Sequence, residues 1–321
     1  MKHGNMKYSY IIVAVVFFLI VTNSQVFAET SSDTEGGIKT ATELQLQISS
    51  LPEAKFVFNQ NFIFPFLQGS GPLTKDNNID LRLSAELSPL SLNGVAELNW
   101  TPVAFFVLSG GGRAGSGWNI PLGNGIGLNK PVGLYSPGNP REAEIDGTAF
   151  DGLLWAAWGA GTLQFDLGAV IPGDWTHVLF QTRHEFRYAG YTRAASGDPW
   201  VFENDEAENQ NGWVYYANLV LGYQMPLSPV LETVAFMAEL TTPLYATDDN
   251  FNRWTLSALF NFTFTPRFST ALIIQMRTQR SYNRTIMDTG NHYQDYTSSF
   301  GEGDNVLLFY RAAAILSYKI K

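Results

Sequence analysis

Every odd-numbered position from Leu153 to Ile171 is apolar or glycine: Leu153, Trp155, Ala157, Gly159, Gly161, Leu163, Phe165, Leu167, Ala169 and Ile171. The even positions of the same run include Thr162, Gln164 and Asp166. Successive side chains of an extended chain point to opposite faces, so a period of two gives one apolar face and one mixed face. The run is far longer than a common strand of roughly five or six residues. Several other segments of the chain repeat the pattern.

The chain opens with the basic stretch Met1-Lys2-His3-Gly4-Asn5-Met6-Lys7, followed by the apolar run Tyr10 to Val21 and by Val26-Phe27-Ala28. A basic region, a short apolar region and a small-residue cleavage site make a secretory signal peptide, expected to be cleaved near Ala28. The apolar run falls short of the roughly twenty residues a membrane-spanning helix needs, and no later segment reaches that length. The chain has no cysteine, so it has neither a disulfide framework nor a thiolate metal site. Formal net charge is −9, and loss of Lys2 and Lys7 with the leader makes the chain more acidic still. That balance argues against nucleic acid as a partner, because phosphate binding needs a basic surface. Charged residues are 15% of the chain and aromatics 14%. So low a charge content, against roughly a quarter in ordinary soluble domains, suits a protein whose outside meets lipid.

Ten strands follow from the alternation. The first covers 55–66, with Phe56, Phe58, Phe62, Phe64 and Phe66 on one face. The second covers 79–101. Its apolar face is odd up to Leu87 and even from Leu90 to Trp100, a one-residue phase change at Pro89 of the kind a β-bulge makes. The third, 103–117, is blurred by glycines. The Leu153–Ile171 run is the fourth, and 176–193 the fifth. The remaining five centre on Trp213–Tyr223, Val234–Leu240, Trp254–Phe264, Leu272–Gln279 and Val306–Ile320. Residues 29–54 read as a periplasmic N-terminal segment, an internal plug or one short extra strand. A rival parse splits the second strand at Pro89 and adds 42–49, giving twelve strands. Ten is preferred, because the rival mixes short with very long strands and puts a polar loop of twelve residues among the short turns.

Short proline-containing turns at 101–102, 172–175, 226–229 and 265–267 alternate with longer polar loops at 67–78, 118–149, 194–211, 246–252 and 283–304. That asymmetry belongs to barrels with short periplasmic turns and long extracellular loops. Aromatic residues gather near strand ends, with Trp100, Trp175, Trp213, Trp254, Phe264 and Tyr318 as the expected interfacial girdle. Over nearly all of the mature sequence the chain resembles the bacterial outer-membrane β-barrel superfamily, porin-like in architecture. The resemblance implies an all-β, transmembrane, antiparallel up-and-down barrel over 55–321, residing in the cell outer membrane. It also implies outer-membrane lipids as surroundings, and periplasmic chaperones and the barrel-assembly machinery as assembly partners. The ending Tyr318-Lys319-Ile320-Lys321 departs from the terminal aromatic common in such families. A soluble β-sandwich alternates too, with the apolar face inward, but it would not collect its aromatics at strand ends.

On the polar faces, Arg82, Arg113, Arg183, Arg187, Arg277 and Arg311 point into the barrel, together with Glu86, Glu97, Asp166, Glu185 and Glu239. Two readings stand. A basic constriction would steer small anions, as arginine rings set pore selectivity. A compensated salt-bridge network would instead fill a narrow barrel, since eight strands enclose only side chains and sixteen leave a channel. Tyr310, Leu308 and Val306 are expected on the outward face of the last strand.

Other constellations are weaker. The acidic loop Asp198–Asn211 offers oxygen ligands without the spacing or central glycine of an EF-hand, so it reads as a solvated loop. Gly110, Gly111, Gly112, Gly115 and Gly117 lack the Gly-Lys-Ser/Thr of a phosphate-binding loop. His292 beside Asp288 and Asp295 has the placement of an omptin-like protease base, and His184 next to Thr182 faces lipid where an outer-membrane phospholipase has its histidine. The chain shows no His-x-Ser-Asn-Gly segment. No cofactor, metal or catalytic residue is assigned. The expectation is a channel or binding barrel for small solutes. A surface-exposed structural or adhesive barrel is the alternative, and an outer-membrane hydrolase the third.

Overall fold

The structure is a computed structural model. It describes residues 37–51, 53–118, 130–132, 142–144, 149–150, 152–196, 200, 209–224, 226, 228–245, 252–279 and 306–320. The expected signal peptide, most of the 118–149 loop, the acidic run 201–208, and His292 with Asp288 and Asp295 lie outside those residues.

Twelve antiparallel strands close into one barrel. They are β1 (Lys39–Ser49), β2 (Glu53–Pro65), β3 (Asn78–Leu87), β4 (Ser91–Val103), β5 (Phe106–Gly117), β8 (Leu154–Asp166), β9 (Val178–Tyr191), β10 (Gly212–Gln224), β11 (Leu231–Pro243), β12 (Arg253–Thr263), β13 (Phe268–Gln279) and β14 (Val306–Lys319). A separate small hairpin, β6 (Lys130–Val132) with β7 (Glu142–Glu144), sits in the longest connection. Each strand pairs with its sequence neighbours in the barrel, and β1 pairs with β14 to close it.

The preferred count of ten is corrected to twelve, and two local features account for the difference. The phase change at Pro89 is a hairpin, not a bulge. Ser88 Oγ accepts from the backbone N–H of Leu90 (3.1 Å) and of Ser91 (3.0 Å), and Ser88 N–H donates to Ser91 O (2.9 Å). Leu87 then faces Leu92 across the ladder, which turns an odd apolar face into an even one. Secondly, residues 39–49, read as part of an N-terminal segment, plug or extra strand, form β1. Apart from the count, the Leu153–Ile171 alternation ends as a strand at Asp166. There a single 3₁₀ turn, Leu167–Ala169, begins, with the Asp166 carboxylate accepting from Gly168 N–H (2.8 Å). With these changes every barrel strand has 10 to 14 residues.

The extra hairpin places the 66–77 connection at the end that carries both termini. That loop is not a loose polar tether. Asn77 Nδ2 donates to Leu67 O (3.0 Å) and to Pro102 O (2.7 Å), and Ala104 N–H donates to Leu73 O (2.9 Å). It is tied down over the β4–β5 turn. The longest connections, 118–153, 192–211 and 280–305, gather at the far end, away from the termini.

The barrel is inside-out relative to a soluble fold. Along β9, Phe180, His184 and Phe186 are exposed while Gln181, Arg183 and Glu185 are buried. The same inversion runs through β3, where Leu83 and Leu87 are exposed, and through β10, where Leu219 and Leu221 are exposed over buried Asn218. A continuous apolar exterior around a closed sheet is the arrangement lipid demands, since closure pairs the backbone N–H and C=O groups. The soluble sandwich is therefore set aside.

One further correction falls on β14. Gln275 pairs with Arg311 but Met276 pairs with Phe309, so Tyr310 is the extra residue of a β-bulge. Above the bulge the phase flips: Leu307 and Phe309 are on the outside, Leu308 lies opposite the inward Arg277, and Tyr310 turns toward the arginines.

Because the chain has no cysteine, closure is testable by a disulfide trap. Leu46 and Leu316 are Cα partners on β1 and β14. Leu46→Cys with Leu316→Cys is expected to oxidise to an intramolecular disulfide, seen as a mobility shift on a non-reducing gel. A barrel closed without β1 would leave the two thiols free.

Candidate functional site

The lumen is built by the polar alternate residues of the strands, and its charges interlock between mid-barrel and the end away from the termini. On one side Lys55 Nζ lies 3.1 Å from Glu86 Oε2, and Arg113 Nη2 lies 3.3 Å from the same oxygen. Beside it, Glu185 is gripped by two arginines. Arg183 Nη2 donates to Oε2 (2.8 Å) and Arg187 Nε to Oε1 (2.7 Å). Arg183 also spans β8 and β5, reaching Ser109 Oγ (3.3 Å) and Glu97 Oε2 (3.4 Å). Trp158 Nε1 donates to Glu97 Oε2 as well (2.9 Å), and the Arg187 guanidinium stacks 5.0 Å from the Trp158 ring centroid. Gly111 makes this reach possible: a Cβ there would sit 2.6 Å from Trp158 Cζ2.

The opposite wall holds a second network. Arg311 donates through Nε to Gln275 Oε1 (2.6 Å) and through Nη1 to Glu53 Oε2 (3.1 Å), crossing β1 to do so. Gln275 Nε2 donates to Ser257 Oγ (3.0 Å), and Ser49 Oγ donates to Glu53. The Tyr216 hydroxyl donates to Glu239. Every barrel strand contributes a residue to one of these groups.

Sequence reasoning placed Arg82, Glu86, Arg113, Arg183, Glu185, Arg187, Glu239, Arg277 and Arg311 in the lumen. The structure puts all nine on inward-facing positions. Arg82 is half-buried beside the Glu97 row, and no ion pair of its own is present among the described residues. Asp166 differs. It lies at the β8 end and binds His177 Nδ1 (2.8 Å) in the turn to β9, so it shapes a connection at the rim. Glu97 lies at mid-strand, because β4 starts at Ser91 rather than at residue 79.

Sequence reasoning passed over Glu53, Lys55, Trp158, Tyr216, Gln275 and Tyr310. Lys55 was legible from its alternation with Phe56 and Phe58. Glu53 was assigned outside the barrel, and Tyr310 depended on a bulge inside the unbroken apolar run Val306–Tyr310.

The girdle residues sort to both rims. Trp100, Trp175, Phe264 and Tyr318 lie at the end of the termini, and Trp213 and Trp254 at the far end. Tyr188 stacks on Trp155 and meets Trp213 edge-on at the far rim, with centroids 5.2 and 5.6 Å apart. His184 sits on the outer face, its ring nitrogens at the Tyr215 hydroxyl (2.7 Å) and Thr182 Oγ1 (3.2 Å).

Accessibility divides the lumen unevenly. The Glu185 side chain has 0% exposure and that of Arg187 has 25%. Ile273, Ala313 and Ile315 form a dry cluster with Leu259 and Ala271 inside the β12–β14 wall, toward the end of the termini. That side of the lumen is filled. Glu86, Arg113, Arg187 and, nearer the termini, Arg82, Ser84, Asn59 and Asn61 keep partial exposure along the β2–β5 wall and the adjoining edge of β9.

No family model matches the chain, and no curated protein matches it. Among solved structures it is similar to the KdgM porin, at 8% identity over 88% of this chain and 99% of that one, with a TM-score of 0.38. It is also similar to OmpT, an outer membrane protein of Vibrio cholerae, at 7% identity over 91% and 100%, TM-score 0.32. The anion-selective porin from Comamonas acidovorans aligns at 6% identity over 88% and 99%, TM-score 0.29. These likenesses are too distant to bear on this chain's lumen or solute.

Breaking a buried ion pair from one side leaves an uncompensated charge and costs about 3–5 kcal/mol. Glu185→Ala strands both Arg183 and Arg187 and is expected to lower the unfolding free energy of the refolded barrel by about that amount in a denaturant titration. A loss under about 1 kcal/mol, the value of an exposed pair, would remove the network from the list of stabilising features.

Proposed function

We propose that this protein is an outer-membrane, porin-like barrel that admits small solutes through a narrow lumen, with anions favoured over cations. The observation that carries the reading is the partly exposed charged wall along β2–β5, where Glu86 and Arg113 keep 15% and 13% side-chain exposure, inside a barrel whose outside is apolar. Arg82 supports the anion preference. It faces the lumen with no ion-pair partner among the described residues, while Glu97 opposite it is taken by Arg183 and Trp158. An uncompensated guanidinium in a narrow low-dielectric passage raises the local concentration of anions. On this reading the signal peptide directs export, and lipids of the outer membrane surround the apolar band. Periplasmic chaperones and the barrel-assembly machinery handle the chain before insertion.

One observation favours a second reading. The belt of ion pairs and the dry Ile273 cluster fill much of the lumen, which suits a closed barrel acting through its far-end connections as a structural or adhesive surface.

Single-channel recording of the refolded protein in a planar bilayer separates the two. Small, reproducible steps with an anion-selective reversal potential are expected, and Arg82→Glu is expected to abolish or invert that selectivity. A correctly folded but electrically silent barrel would favour the closed reading.

A further inference from the structure

We propose that Arg277, set against the bulged Tyr310, is the anion-binding group of a carboxylate site in the far half of the lumen. The inference rests on the small-solute reading for the class of ligand that reaches it, and it assigns that ligand's chemistry.

The two arginines on either side of Tyr310 are employed differently. The Arg311 guanidinium carbon lies 4.9 Å from the ring centroid, but its nitrogens are committed to Gln275 and Glu53. It holds the ring in place. The Arg277 guanidinium carbon lies 4.7 Å from the same centroid, and its residue is only 7% exposed. Its Nε is buried without a hydrogen-bond partner, and no ion pair engages its other nitrogens among the described residues. The acid best placed to neutralise it is Glu239. Glu239 and Arg277 are both Cα partners of Thr255, two strands apart on the same inward face. Glu239 instead accepts from the Tyr216 hydroxyl. A buried guanidinium with an unmet donor costs free energy unless something accepts from it.

The bulge explains the geometry. The extra residue in β14 aims Tyr310 toward the lumen rather than toward lipid, which is how a bulge re-aims a side chain. A guanidinium lying over an aromatic ring keeps its N–H groups in its own plane, pointing away from the ring edge. That plane suits a carboxylate, whose two oxygens accept two parallel N–H bonds. A hydrated monatomic anion gains the charge but not the paired geometry. The ligand class is therefore a small organic carboxylate.

The test uses sodium succinate as probe and saturation-transfer NMR on the refolded barrel in micelles, a readout that does not depend on conduction. Wild-type protein is expected to transfer saturation to succinate, with chloride competing poorly. Arg277→Gln is expected to weaken succinate about tenfold or more, the scale of a charged hydrogen bond. Should that variant fail to fold, Arg277→Lys keeps the charge without the fork and is expected to bind several-fold more weakly than wild type. Equal binding by wild type and the folded variants, or no binding by wild type, would overturn the proposal. Arg277-dependent binding by a barrel that is silent in the bilayer would uphold the site and sink the passage reading. Anion-selective conductance with Arg277-independent succinate would do the reverse.

Discussion

Closure of the sheet is the constraint from which the rest follows. A backbone amide facing hydrocarbon has no water to bond, so a lipid-facing sheet cannot keep a free edge. The seam between β1 and β14 meets that demand over seven residue pairs, from Glu43 with Lys319 to Ser49 with Ala313. It is braced twice more. Ser50 N–H donates to Ala312 O at its far end (2.7 Å), and the Arg311–Glu53 pair crosses it from inside (3.1 Å). The lumen network is thus part of the closure, because a charge from the last strand is held by the first hairpin.

Putting the apolar faces outside leaves the interior to polar side chains, and the curvature of a twelve-stranded barrel lets side chains two or three strands apart meet. Arg183 bridges three neighbouring strand steps to reach Glu97, and Arg113 reaches past β4 to Glu86. Such pairs do not stabilise by their attraction alone, since each ion gave up water. They offset one another's burial, and they fix which side chains stand where. The Ile273–Ala313–Ile315 cluster shows the other way to fill an interior, with no charge to neutralise. The two solutions share one lumen, and the β2–β5 wall and the β9 edge beside it keep partial exposure.

The faces of the strands were legible in the sequence because a period of two survives any error of count. Arg183, Glu185 and Arg187 follow from alternation along β9 without knowledge of their neighbours. The count was not legible. A bulge at Pro89 and a hairpin at Pro89 both flip the phase by one residue, and alternation cannot separate them. What decides is the Ser88 side chain capping the turn, a local hydrogen-bond arrangement that the apolar pattern does not encode. The same blindness hid the end of β8, where alternation runs on to Ile171 after Asp166 has begun a turn. It also hid Tyr310, because Val306 to Tyr310 are all apolar or aromatic and offer no contrast to phase against. Pairing between lumen residues was beyond the sequence altogether, since Glu53 and Arg311 lie at opposite ends of the chain.

The lumen charges therefore separate by partner rather than by sign. Arg183, Arg187 and Arg311 are spent on carboxylates, so their removal acts first on the fold. Arg82 and Arg277 face the same lumen with no ion pair among the described residues, so on the proposed reading their charge acts first on an approaching anion. A ring of arginines counted from sequence mixes the two kinds and overstates the positive potential. On the proposed anion-passage reading, selectivity belongs to the unspent arginines, and the two seen among the described residues stand on different walls, Arg82 on β3 and Arg277 on β13. On that reading a solute drawn to one is not thereby held by the other, and the two make separate points of attraction rather than one charged constriction.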